Sequence, residues 1–240
     1  MPNNEPLTAN SIRIGPSILT ADLLNLGDQI ALAEGAGVDF IHLDVMDGLF
    51  VPNISFGLPI IDAVRPATRL PLDVHLMIDE PERFIAAFAA AGADTITIQV
   101  EACTHLHRTL AQIAESGVVA GVAVCPGTPL LMVSEIVPLI GNLLIMSVNP
   151  GFGGQTFIPT TIGKVQRARA LLNDLNPSCR LQIDGGIKAS NIGRVVAAGA
   201  DTVVAGSSIF DGTDQIAANV VALRKAASER VEANLFDSPS

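Results

Sequence analysis

Eight short runs rich in Val, Ile and Leu, separated by longer stretches of helical periodicity, constrain the fold of this 240-residue chain more than any other feature. They cover residues 12–18, 40–45, 72–76, 95–100, 118–124, 143–148, 180–184 and 202–205. Runs this continuous suit parallel strands covered on both faces, because a strand with one wet face alternates instead. A helical segment follows each run, with no linker or break in composition between units. The pattern predicts one α/β domain over residues 12–227, a closed (β/α)₈ TIM barrel rather than an open doubly wound sheet. An internal echo agrees: EGAGVDFIHLDV, AAGADTITIQV and AAGADTVVAGS each place Gly just before an Asp that opens a strand, as a helix C-terminus feeding the next strand would. Thr20 or Asp22 reads as the cap of the first helix, Pro81 as a first helical position, and Ser190 or Asn191 as the start of a later helix.

Composition removes whole classes of function. Hydrophobic residues make up 49% and charged residues 16%, which excludes disorder for the bulk of the chain. With 14 basic against 24 acidic residues the net charge is −10, so no general field draws in a phosphate backbone and nucleic acid is excluded as a partner. No apolar stretch reaches the ~18 residues of a membrane helix, and no membrane association is expected. Cys103, Cys125 and Cys179 are too scattered for a disulfide framework or a CxxC metal site and read as reduced thiols of a cytoplasmic protein. The opening MPNNEPLTANS fits neither a secretory signal nor an Arg-rich transit peptide and reads as a polar tail, residues 1–11. Residues 228–240 read as a C-terminal tail, frayed or packed on the outside.

Barrels of this kind carry their chemistry at the C-terminal ends of the strands, so polar residues that interrupt the apolar runs there are the candidates. His42 and Asp44 lie two apart on one strand and point to the same side, His75 has a similar place on the next, and Asp184 ends the seventh. Singly, such a histidine reads as a core residue and such an aspartate as a helix cap. Jointly they form a mixed N/O set suited to Zn²⁺, Fe²⁺, Mn²⁺ or Co²⁺, because buried carboxylates need a cation or hydrogen bonds to compensate them. Glycine turns follow the last three strands: Gly151, Gly153 and Gly154 in NPGFGGQ, Gly185 and Gly186 in DGG, and Gly206 with Ser207 in AGSS. Barrels hold phosphate there, on backbone N–H groups, so an acidic chain can still bind a dianion locally. Met46, Met77 and Met146 sit at or just past strand ends, either as core filler or as an apolar lining of the site.

Together GPSILTADLLNL, HLDVMDGLFVPN, DVHLM, MSVNPGFGGQ, DGGI and VAGSSIF resemble the ribulose-phosphate 3-epimerases, in family order, from about Ile12 to Phe210. The resemblance implies a barrel of the ribulose-phosphate binding type. It also implies interconversion of D-ribulose 5-phosphate and D-xylulose 5-phosphate, in the pentose phosphate pathway or carbon fixation. It places one divalent metal ion per subunit on His42, Asp44, His75 and Asp184, with Asp44 as proton acceptor and Asp184 as donor in one direction, exchanging roles in the other, and calls for no organic cofactor. Substrate contacts fall on Ser17, His75, the turn Gly151, Phe152, Gly153 and Gly154, then Asp184, Gly185 and Gly186, and Gly206 with Ser207. A homo-oligomer is implied as well. The chain departs from the family at Gln99, where His is common, and at Cys125, where Asn is common. Gln99 is expected to tune the surroundings of the site with activity retained, and Cys125 to be a small buried residue rather than a reactive thiol.

Epimerisation at C3 removes a weakly acidic proton and returns it on the other face, through a cis-enediolate, which calls for two acid/base groups. An allulose 6-phosphate 3-epimerase would share this machinery, and a non-catalytic sugar-phosphate-binding barrel would share the fold. A decarboxylase- or aldolase-like barrel of the DxKxxD kind is disfavoured, since Asp44, Val45, Met46 and Asp47 include no lysine.

Overall fold

Alternation along each strand separates two interiors. A computed structural model describes residues 12–236. Its eight strands are β1 (Arg13–Pro16), β2 (Ile41–Met46), β3 (Leu72–Met77), β4 (Thr95–Gln99), β5 (Val119–Val124), β6 (Asn142–Met146), β7 (Arg180–Asp184) and β8 (Thr202–Ala205). The odd-even period of a strand sends Leu43, Val74, Ile98, Val122, Leu143, Leu181 and Val203 outward, into one continuous apolar core. The helices close over that core with Ile30, Ile61, Ile85, Ile113, Leu172, Val195 and Leu223. Each fully buried aliphatic side chain there contributes roughly 1.5–3 kcal/mol. The complementary positions face the lumen, and on β2 and β3 these are His42, Asp44, Met46, Asp73, His75 and Met77.

All neighbouring strands are parallel, in the order β1-β8-β7-β6-β5-β4-β3-β2. The ring is nearly closed: β1 and β2 meet through a single parallel bridge, Ser17 with His42. Asp39 secures that seam, its backbone N–H donating to Ile14 O at 2.9 Å and its carboxylate accepting from Ile14 N at 2.7 Å. Only glycine fits at position 15, because a Cβ would lie 2.2 Å from the Phe40 ring.

Seven α-helices follow strands: α1 (Leu26–Gly35), α2 (Leu58–Val64), α3 (Ile85–Ala90), α4 (Leu106–Glu115), α5 (Thr161–Leu175), α6 (Ala189–Ala197) and α7 (Ile216–Phe236). The helical segment expected between β5 and β6 is instead a 3₁₀ stretch, Ser134–Leu139, with Pro138 inside it. Proline removes a donor and clashes with the preceding turn, so an α-helix does not propagate there. Asp22 caps the turn leading into α1 by accepting from Leu24 N at 3.0 Å, and Pro81 opens a short 3₁₀ turn. At the start of α6, Asn191 turns back to accept from Lys188 N at 2.9 Å. The segment read as a tail from Ser228 is helical as far as Phe236, in keeping with its Glu, Ala, Arg and Leu content. The polar tail at residues 1–11 lies outside the described residues.

The GxD echo has a physical basis. Gly37, Gly92 and Gly199 each adopt positive φ, at 88°, 103° and 112°, and two residues on stand Asp39, Asp94 and Asp201. Each of these carboxylates accepts from the first N–H groups of a neighbouring strand, at Ile14, Leu72 and Leu181. Each also pairs with an arginine that binds the carbonyl of the same glycine: Arg224, Arg65 and Arg169. One clamp recurs three times at the N-terminal end of the barrel.

Candidate active site

At the opposite end, a cleft opens over the C-terminal ends of the strands. Its floor holds Ser17, Asp44 and Asp184, and Met46, Met77 and Met146 line it as an apolar collar. Its rim is made of the turns Gly151–Gly154 (with Phe152 half-exposed), Gly185 with Gly186, and Gly206 with Ser207. Gly186 has φ +65°, and a Cβ there would lie 2.5 Å from Phe157 N, so the turn after β7 admits no side chain. No lysine or arginine lines the cleft among the described residues. An anion entering it would meet amides and hydroxyls, not cationic side chains.

Parallel register brings the polar residues together. Asp44 and His75 are paired across β2 and β3, and Asp184 reaches the same point from β7. Asp44 Oδ1 lies 3.0 Å from His75 Nδ1 and 3.3 Å from His42 Nε2, and its Oδ2 accepts from Ser17 Oγ at 2.6 Å. One donor atom from each of His42, Asp44, His75 and Asp184 lies within 4.8 Å of all the others, so that small inward shifts would seat all four on one ion. His42 Nε2 is buried without a hydrogen-bond partner. A carboxylate–imidazole set with a bare ring nitrogen aimed into it fits a divalent cation.

Electrostatics divides the two aspartates. Burial opposes ionisation of Asp44, but the charge and hydrogen bonds of His42 and His75 outweigh it and hold the carboxyl well below the usual range. Burial raises Asp184, the negative charges of Asp44 and Asp73 add to it, and together they outweigh the opposing charge of His42 and the Gly185 N–H, so its carboxyl is pushed up to about 7. His42 is raised, the charges of Asp44 and Asp73 prevailing over burial.

His75 is fully buried behind Asp44 and does not line the cleft, unlike the other residues expected to touch substrate. Gln99 stands directly behind it, Nε2 2.9 Å from His75 Nε2, and Cys125 Sγ lies 3.7 Å from Gln99 Oε1. The Cys125 thiol is pushed up to about 12 by burial and by Glu101, which suits a packed residue rather than a nucleophile. Sequence reasoning passed over a second polar layer beneath the site, made of Asp73, Gln182, Asn142 and Thr97. The signal was present: Asp73 stands two residues before His75 and Gln182 two before Asp184, the same spacing that joined His42 to Asp44. Asn53 was also missed. It donates to Gly151 O at 2.8 Å, tying the loop after β2 to the glycine turn after β6.

Residues 13–210 match the Ribulose-phosphate 3 epimerase family. The chain is 49% identical over 205 residues to the ribulose-phosphate 3-epimerase of Synechocystis sp., covering 85% of this chain and 89% of that one. It is 47% identical over 205 residues to the ribulose-phosphate 3-epimerase of Bacillus subtilis, covering 85% and 94%. With the chloroplastic ribulose-5-phosphate-3-epimerase of Arabidopsis thaliana it shares 46% over 207 residues, covering 85% and 74%. Among solved structures, KGPDC from Streptococcus mutans superposes with a TM-score of 0.68 at 14% identity, over 92% of this chain and 99% of that one. A 3-hexulose-6-phosphate synthase superposes with a TM-score of 0.64 at 21% identity, over 90% and 99%. At such identities these two speak for the barrel alone.

Proposed function

The chain belongs to the ribulose-phosphate 3-epimerase family and is an isomerase, and on that footing we propose that it interconverts D-ribulose 5-phosphate and D-xylulose 5-phosphate, with Asp44 and Asp184 as its two acid/base groups. Inversion at C3 needs one group on each face of the substrate. Asp44 and Asp184 project from β2 and β7, strands separated by β1 and β8 on the shorter way round the ring. Asp44, held ionised, accepts the proton. Asp184, with the higher proton affinity, returns one from the other side, and the roles exchange in reverse. His42, Asp44, His75 and Asp184 would hold a divalent ion, which when bound would offer positive charge to the oxygen that becomes negative as C3 is deprotonated. The methionine collar keeps water from the reacting carbon, and Ser17 steadies Asp44 through its 2.6 Å hydrogen bond. The glycine turns receive the phosphate on backbone N–H groups.

The observation that carries this reading is the meeting of two carboxylates, from β2 and β7, on the floor of a glycine-rimmed cleft. Incubation with ribulose 5-phosphate in D₂O tests it: deuterium should enter at C3 and xylulose 5-phosphate should accumulate. Exhaustive chelation should stop both, and re-addition of Zn²⁺, Mn²⁺, Co²⁺ or Fe²⁺ should restore them. No exchange would indicate a binding barrel, and faster turnover of allulose 6-phosphate would move the substrate assignment to the hexulose.

A further inference from the structure

The geometry points to Asp73 as a positioning residue for the metal centre, fixing which nitrogen of His42 faces the ion; this rests on the reading of His42, Asp44, His75 and Asp184 as a divalent-metal site. Asp73 lies on β3, is 6% exposed, and is paired in register with His42 on β2. Its Oδ2 is 2.9 Å from His42 Nδ1. A carboxylate can only accept, so the ring nitrogen donates. In the neutral ring, the form that binds metal, that bond leaves Nε2 as the nitrogen with a lone pair to offer, and Nε2 is the buried atom without a hydrogen-bond partner, 3.3 Å from Asp44 Oδ1. In a ligating histidine, the partner of the second nitrogen sets tautomer, ring orientation and ligand strength.

Asp73 is itself held in place. Gln182 Nε2, from β7 across the lumen, donates to the same Oδ2 at 2.6 Å. Gln182 Oε1 accepts from Asn142 Nδ2 on β6, which also lies 3.3 Å from Thr97 Oγ1 on β4. A single chain of hydrogen bonds therefore crosses the barrel just beneath the proposed ligands. Such a layer is costly where branched aliphatic side chains would fill the space, since buried polar groups give up their hydration. Its return is a fixed ring. The two histidines are supported differently, because His75 presents Nδ1 to Asp44 and rests its Nε2 on the neutral amide of Gln99. Only His42 has a carboxylate behind it, which makes it the more strongly donating of the two rings.

Chelator-competition titration with Zn²⁺, together with the visible absorption of the Co²⁺-loaded protein, tests this on wild type, Asp73→Asn and Gln182→Met. Wild type should hold one ion per chain. Asp73→Asn should keep its fold but bind Zn²⁺ about 10–100-fold more weakly and show altered Co²⁺ bands. Gln182→Met, which removes a donor from Asp73 without touching His42, should move both readouts less and in the same direction. Leu144→Ala, a fully buried lumen residue outside the polar chain, should lose stability yet keep wild-type affinity. Zn²⁺ affinity and Co²⁺ bands indistinguishable from wild type in Asp73→Asn overturn the inference, as does equal weakening in Leu144→Ala. If Asp73→Asn does not fold, unchanged binding in Gln182→Met overturns it by the same measure. Wild type that takes up no ion removes the metal reading and this inference together, whereas tight binding by both wild type and Asp73→Asn removes this inference alone.

Discussion

Asp44 and Asp184 share one buried cluster, yet their surroundings drive their proton affinities apart. Asp44→Asn and Asp184→Asn should each lower exchange at C3 by about 10²–10⁴-fold with unchanged circular dichroism; near-normal turnover in either would reject the two-base scheme. The contrast also governs stability. Asp184 in the metal-free chain has its folded value raised from 3.8 to about 7, so the fold binds that proton more tightly than the unfolded chain does. Its contribution is greatest at low pH and is lost as pH climbs through that window. In urea unfolding with chelator, the stability of Asp184→Asn relative to wild type should therefore rise between about pH 4 and pH 8, by on the order of 4 kcal/mol. A pH-independent difference would show that Asp184 is not a high-affinity proton site. Asp44, His75 and Asp184 were legible in the sequence because each interrupts an apolar run near its end, and His42 because it stands two residues before Asp44 on the same face. Asp73 and Gln182 carry the same two-residue spacing, to His75 and Asp184, but sequence gives no sign of the partners they meet on neighbouring strands and across the lumen.

Among elements, the strands were legible because covering both faces demands Val, Ile and Leu without alternation, and all eight appear where those runs stand. The missing α-helix between β5 and β6 was not, since the apolar residues of SEIVPL mimic a helical stripe while Pro138 forbids its hydrogen bonding. The triple clamp at the N-terminal end shows what the GxD echo accomplishes: a glycine turns the chain, and the aspartate after it ties one strand start to another. Conserving strand alignment is a stability task remote from the cleft. Asp201→Ala, which loses both its arginine and its backbone donor, should cost about 1–3 kcal/mol in urea unfolding and leave kcat and KM unchanged. A comparable fall in kcat would mean that this end of the barrel reaches the site.

For the whole molecule, the ring of strands sets an order of layers: clamps at one end, a polar chain through the lumen, the His42, Asp44, His75 and Asp184 cluster above it, and glycine turns at the mouth. A net charge of −10 surrounds a mouth whose wall offers no lysine or arginine among the described residues. On the proposed function, a sugar phosphate therefore approaches uphill until the amide dipoles of the glycine turns take hold at short range. Where a basic field steers an anionic substrate to its site, added salt slows capture. Here added electrolyte should do the reverse: screening with a weakly coordinating salt from about 10 to about 150 mM should raise kcat/KM severalfold, and a decline would reveal an attractive field elsewhere on the surface. Capture would then favour crowded, ion-rich surroundings over dilute ones.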